Sequence, residues 1–267
     1  MPPILENKRH TSPSVFRASA LLREARRQKG LPDAAVPSIC ILDPDGDIVR
    51  RLRSTGRASA CETWPCYHTR LDTFLLGKQR VGIVGCAVGA PFAVLVAEEL
   101  FASGCRLILS LTSAGQISAV RSPPYFVIIE RALRDEGTSY HYAPPADYAE
   151  ADPAHVALAC AAVSAAGLDV LVGTTWTTDA PFRETAEAIE AAKAKGVLAV
   201  EMEAAALYAF ARASGAAVLC LAHVTNMMGQ TQHDFEKGAH DGTQEALTLL
   251  EAIASHVAIQ LLPSASA

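Results

Sequence analysis

Val197-Leu198-Ala199-Val200-Glu201-Met202-Glu203-Ala204-Ala205-Ala206-Leu207 is the stretch on which the fold of this chain turns. Its first four residues are all apolar, the mark of a strand buried on both faces. The alanine-rich run from Ala204 to Phe210 then suits a helix. Two carboxylates and a methionine stand at the seam. A carboxylate is kept out of apolar surroundings unless it is paired or hydrogen-bonded. Taken locally, Glu201 and Glu203 mark a helix N-terminus, where free amides and the macrodipole favour acidic side chains. Taken with the rest of the chain, Glu203 fits a binding site built from several strand ends, with Glu201 as its structural neighbour.

The same alternation runs outward on both sides. Strands are predicted over Ile39–Leu42, Val81–Val88, Arg106–Leu111, Tyr125–Ile129, Val170–Thr175, Val197–Val200 and Ala217–Val224. Helices are predicted over Ser14–Lys29, Pro91–Ser103, Asp152–Ala166, Arg183–Lys195, Glu203–Ser214 and Thr243–Leu262, several ended by glycine. Arg53–Thr73 reads as irregular. Residues 1–37 form an N-terminal arm and helix, and 38–267 a single domain. The fold class is α/β: a single-domain α/β/α sandwich around a central mixed, largely parallel sheet. Ligands of such folds lie beyond the carboxyl ends of strands. Five segments there carry polar groups: Cys86–Ala90, Thr112–Gly115, Thr174–Thr185, Glu201–Glu203 and Thr225–Asn226.

A chain of 267 residues, 50% hydrophobic and 19% charged, can bury about 70–75% of its unfolded surface in one core. A net charge of −5 gives no general attraction to nucleic acid or to an anionic membrane, so a phosphate-bearing ligand must be held by local donors. The 7 cysteines include no Cys-x-x-Cys pair and fit neither a disulfide framework nor a zinc site, so no metal is expected. Cys86 and Cys220 lie in apolar runs and read as core residues. The N-terminus has no apolar signal core, and a cytoplasmic location is expected. Gly82-x-x-Gly85-x-x-x-Gly89 lacks the order of a dinucleotide fingerprint.

Val200-Glu201-Met202-Glu203-Ala204-Ala205-Ala206-Leu207 resembles the ribose-binding signature of the nucleoside phosphorylase/nucleosidase superfamily. Thr112-Ser113-Ala114-Gly115-Gln116-Ile117 resembles that family's glycine-rich loop after a central strand. Glu136-Gly137-Thr138-Ser139-Tyr140-His141-Tyr142 resembles a segment of its uridine-phosphorylase-like branch, and Val224-Thr225-Asn226 falls where the family has Val-Ser-Asp or Val-x-Asn. The likeness covers residues 81–230. It implies the family's fold and cleavage of the N-glycosidic bond of a nucleoside, by phosphorolysis to free base and pentose 1-phosphate. Hydrolysis by water and a non-catalytic nucleoside-binding protein are the alternatives. It further implies inorganic phosphate as co-substrate, no organic cofactor, and a homo-oligomer (dimer, trimer or hexamer).

Cleaving the bond builds positive charge on the sugar and negative charge on the departing base, and rate comes from stabilising both. Glu203 is accordingly the candidate catalytic carboxylate and the acceptor for sugar hydroxyls, with Met202 as an apolar floor and His141 as a further sugar ligand. Phe182 would stack on the base, Arg183 read a base carbonyl and Asn226 hydrogen-bond the leaving base. Ser113 and Thr112, with Gly89, would hold phosphate or an attacking water. Trp176 reads as packing.

Two departures concern the anion. The family's Gly-Asp-Pro-x-Arg corresponds here to Pro44-Asp45-Gly46-Asp47-Ile48, which places Ile48 at the arginine. A second arginine, before the glycine-rich loop, is Ser110. Neither replacement supplies a bidentate clamp. Arg50, Arg51, Arg53 and Arg57 are near in sequence and otherwise form a solvated edge. A third departure is Asn226, which cannot relay a proton as an aspartic acid does in purine-specific members.

Overall fold

The computed structural model describes residues 2–228, 232 and 234–261. Ten strands join in one sheet: β1 (Ile39–Asp43), β2 (Ala58–Ala60), β3 (Leu71–Leu76), β4 (Gln79–Gly85), β5 (Leu107–Gln116), β6 (Tyr125–Asp135), β7 (Tyr148–Glu150), β8 (Val170–Thr178), β9 (Val197–Glu201) and β10 (Ala217–Asn226). The helices are α1 (Ala18–Lys29), α2 (Asp47–Ser54), α3 (Ala90–Ala102), α4 (Pro153–Ala165), α5 (Ala186–Ala194), α6 (Ala204–Ser214) and α7 (Thr243–Leu261). Strands β4, β1, β5 and β10 run parallel to their neighbours, as do β6, β8 and β9. The two sets meet antiparallel, β10 on β6 and the tip of β5 on the tip of β9, so the ladder β5-β10-β6-β8-β9 returns to β5 and closes. The central sheet is therefore mixed, as expected, with antiparallel β3 and β2 added beyond β4.

Period-two alternation divides each strand between two helical layers. Ile39 and Ile41 of β1, with Leu107, Leu109 and Leu111 of β5, pack with α2, α4 and α7. Cys40 and Leu42 of β1, with Ile108 of β5, pack on the opposite side with α3 and α6. In α6 every residue from Ala204 to Phe210 is buried. Its small alanines allow close approach to the sheet on one side and to α3 on the other. Tyr208 is satisfied there by donating to Ile129 O at 2.5 Å and accepting from Cys220 N–H at 3.0 Å.

Several elements differ from the sequence-based expectation. Thr112–Gly115, expected as a loop, is part of β5, because β10 stays paired with it to Gly115 and β9 pairs with Gly115 and Gln116. The stretch expected to be irregular includes the end of α2, then β2 and the start of β3. The helix expected over Arg183–Lys195 is a 3-10 turn (Pro181–Arg183) followed by α5, which Thr185 caps by accepting from Ala188 N–H. Cys86 is exposed, not in the core: it lies past the end of β4 with φ at 65°. Leu262, the expected end of the last helix, lies outside the described residues, as does the rest of the chain after it. Among the described residues no helix is long and apolar enough to cross a membrane.

Candidate active site

The ends of β5, β9 and β10 converge on Gly115, which pairs with both Val200 and Asn226. A Cβ at this position would stand 2.3 Å from Met228 Sδ, so any larger residue would displace that side chain. Beyond these ends lies a cleft of roughly 310 Å³, walled by Ser113, Met202, Asn226, Phe182 and Glu184 among others. It stands at the carboxyl ends of β5, β9 and β10, where such folds place their ligands.

The two seam glutamates are both buried, yet their bonding differs. Glu201 Oε1 accepts from the hydroxyls of Thr175 (3.1 Å) and Thr177 (2.5 Å), and Oε2 accepts from the N–H groups of Glu203 and Ala204, each at 2.7 Å. This carboxylate caps the buried start of α6, with both oxygens used. Burial nevertheless raises its ionisation above the ordinary range. Glu203 Oε1 accepts from Gly89 N–H at 2.7 Å, while its Oε2 is buried with no partner. Burial first, then the charge of Glu201, push this carboxyl up to about 8, against the pull of Gly89 and Thr112. Glu203 is 1% exposed and is not part of the cleft wall, which includes its neighbours Glu201 and Met202.

On the anion side, Ser113 donates its N–H to Asp45 Oδ2 and its hydroxyl to Asp45 Oδ1, each at 2.9 Å. Thr112 Oγ1 donates to Ser113 O at 3.3 Å, and the Gly89 amide is spent on Glu203. Lys237 Nζ lies 2.5 Å from Asp47 Oδ2 and 3.7 Å from Asp45 Oδ2. Burial alone would lower the Lys237 ammonium, but the bond to Asp47 and the charge of Asp45 raise it. Asp43, at the end of β1, is buried and accepts from Val49 N–H at 2.9 Å; burial pushes its carboxyl up to about 7. His223, opposite Ser113 on β10, stacks on Phe126 at 4.4 Å, and burial followed by the Lys237 charge lowers it to about 4.

Of the four arginines only Arg50 reaches this side, and it is held by acidic partners. Arg50 pairs with Asp47 and donates to Asp45 O, Arg53 is bound to buried Asp72, and Arg51 and Arg57 are exposed. Ile48 and Ser110 are both buried, at the positions where the family carries its arginines.

The base side is only partly as expected. Phe182 edges the cleft with a fully exposed ring, and Asn226 lines it. Asn226 also holds its own turn: Oδ1 accepts from Met228 N–H at 2.9 Å and Nδ2 donates to Thr225 Oγ1 at 3.2 Å. Arg183 is exposed and is not part of the cleft wall. The next residue, Glu184, faces it instead, and burial pushes its carboxyl up to about 7. His141 is exposed, with Nδ1 2.9 Å from Lys8 Nζ, and does not line the cleft. Trp176 packs beside Ile117 and donates to Asp135 Oδ2 at 3.0 Å.

The structure thus brings Ser113, Met202, Phe182 and Asn226 to one cleft, while Thr112, Gly89 and Glu203 are not part of its wall, Gly89 being bonded to Glu203. It adds Asp45, Glu184, His223 and Lys237. Glu184 stood inside the segment singled out from sequence, and Asp45 inside the altered anion motif. His223 and Lys237 carried no local signal; the fold alone brings them near.

The model of the Phosphorylase superfamily matches residues 38–258. Curated relatives include a purine nucleoside phosphorylase DeoD-type from Shewanella denitrificans, 28% identical over 55% of this chain and 64% of its own length. A guanosine phosphorylase from Halorubrum lacusprofundi is 29% identical over 50% of this chain and 55% of its own. In both cases less than two thirds of the relative's length is matched. Among solved structures, uridine phosphorylase from Vibrio fischeri aligns with a TM-score of 0.69, at 20% identity, covering 85% of this chain and 95% of that one. At that identity the likeness concerns the fold. With the match spanning the sheet, the seam and the cleft, the chain belongs to the phosphorylase superfamily.

Proposed function

We propose that this protein cleaves the N-glycosidic bond of a nucleoside, transferring the pentosyl group to inorganic phosphate. The observation that carries the reading is Glu203: a buried carboxyl beside Met202 with one oxygen occupied by Gly89 and the other without a partner. A buried acceptor without a donor is costly. A ribose hydroxyl is the donor that this reaction would bring, and the ionised carboxylate would then stand near the developing positive charge. The base would lie over Phe182, within reach of Asn226 and Glu184. Glu184 in its protonated form can donate to a departing base that Asn226 can only hydrogen-bond.

A second reading, hydrolysis, draws support from Asp45, whose carboxylate occupies both Ser113 donors. Base release from a panel of purine and pyrimidine nucleosides, with and without phosphate, tests both. Phosphate-dependent release with a pentose 1-phosphate product is expected. Full release without phosphate, giving free ribose, would replace the acceptor by water. Nucleoside binding without release from any member of the panel would leave a binding protein.

A further inference from the structure

We propose that Asp45 is an internal competitor of phosphate: its carboxylate occupies the Ser113 donors that an incoming phosphate needs and so sets the affinity for the acceptor. The inference rests on the reading of this cleft as a nucleoside-cleaving site. It arises from hydrogen-bond stoichiometry. A backbone amide has one proton and a serine hydroxyl has one, and both of Ser113's go to Asp45 at 2.9 Å. No second anion can be served by these groups while the carboxylate stays.

The remaining donors nearby are also engaged. Gly89 N–H is bonded to Glu203, Thr112 Oγ1 to the Ser113 carbonyl, and Arg50 and Lys237 both to Asp47. A phosphate dianion arriving here would face the carboxylates of Asp45 and Asp47, with Lys237 beside both. Rotation of the Asp45 side chain would release both Ser113 donors while its backbone carbonyl stays bonded. Arg50 Nη1 donates to Asp45 O at 2.9 Å. The next residue, Gly46, is packed so closely that an added Cβ would stand 2.6 Å from Cys86 Sγ and 2.8 Å from Arg50 Nη1. When the carboxylate swings out, Lys237, now 3.7 Å from Asp45 Oδ2, stays anchored on Asp47.

Titration of inorganic phosphate by calorimetry into the wild type, Asp45→Asn, Asp45→Ala and the double variant Asp45→Ala/Ser113→Ala tests this. Asp45→Ala is expected to bind phosphate at least about tenfold more tightly than the wild type, an effect of about 1.4 kcal/mol. Asp45→Asn, nearly isosteric and uncharged but still able to accept from Ser113, should fall between them. The double variant should lose the gain. Affinities within twofold across wild type, Asp45→Asn and Asp45→Ala would overturn the proposal. So would weaker binding in Asp45→Ala, or no phosphate binding in any variant. The near-isosteric Asn variant keeps the test decisive if the Ala variant does not fold. Because the readout is phosphate binding, it stands apart from the nucleoside panel. Failure of base release would remove the proposed reaction and leave the phosphate result to be judged on its own.

Discussion

Glu203→Gln separates a working carboxylate from a structural one, because the structure gives activity and stability opposite signs. The amide keeps an oxygen for Gly89 N–H, and its nitrogen takes the place of Oε2, which has no partner in either case. What disappears is a carboxyl raised from 4.5 to about 8 by burial and by Glu201. Such a group is protonated in both folded and unfolded states at low pH, and the substitution is then near neutral. Above pH 4.5 the unfolded chain loses that proton first, so the wild type is progressively destabilised until the pH passes about 8. At about 1.4 kcal/mol per pH unit, the ceiling is on the order of 5 kcal/mol. Glu203→Gln should therefore unfold at a higher urea midpoint than the wild type at pH 8, with the difference shrinking towards pH 5. The same variant should lose at least about 10²-fold in kcat/KM for any nucleoside the wild type cleaves, the scale of one lost electrostatic contact in the transition state. Glu203→Ala should lose as much activity. A Gln variant within a few-fold of wild-type kcat/KM would remove Glu203 from the chemistry. A Gln variant less stable than the wild type at pH 8 would show that the buried charge was misjudged.

Glu201→Ala should show the reverse pattern. It orphans two buried N–H groups at the start of α6, at about 1–3 kcal/mol each, so a loss of roughly 2–6 kcal/mol is expected in urea unfolding. Glu201→Gln, whose nitrogen can donate to the Thr175 and Thr177 hydroxyls, should recover most of it; a wild-type midpoint in the Ala variant would contradict the cap. On the base side, Glu184→Ala should lower kcat/KM by about 10²-fold while Arg183→Ala leaves it within about threefold, and steady-state kinetics giving the reverse ranking would restore the sequence-based assignment. Global stability should fall between pH 6 and 8. Asp43, Glu184 and Glu203 hold protons in the fold that the unfolded chain has released, while His223, lowered to about 4, opposes them only weakly above its unfolded pKa. Thermal unfolding that is flat or rising over that range would count against these burials.

Local pattern determined the elements that depend on local forces. The apolar runs of β1, β5 and β10 declared strands buried on both faces, and the Glu-Met-Glu seam declared a polar strand end. Glycines after α1 and α6 stopped helices where a left-handed residue was needed. Those signals sufficed for the family and for Ser113, Met202, Phe182 and Asn226 in one cleft. Pairings between distant segments decided the rest. The polar run Thr112–Gly115 has the composition of a loop, and only its pairing with distant β10, joined at Gly115 by β9, makes it strand. Arg183 and Glu184 are adjacent in sequence, and the end of the 3-10 turn between them leaves one in solvent and the other facing the cleft. Glu201 and Glu203 look alike in sequence; one fills its lone pairs with the Thr175 and Thr177 hydroxyls and the α6 amides, and the other keeps an empty oxygen. Asp45 read as the remnant of an altered motif until the fold set it against Ser113, 68 positions along the chain. A hydrogen bond needs two groups within about 3 Å, and for groups so far apart in sequence only the closed sheet sets that distance.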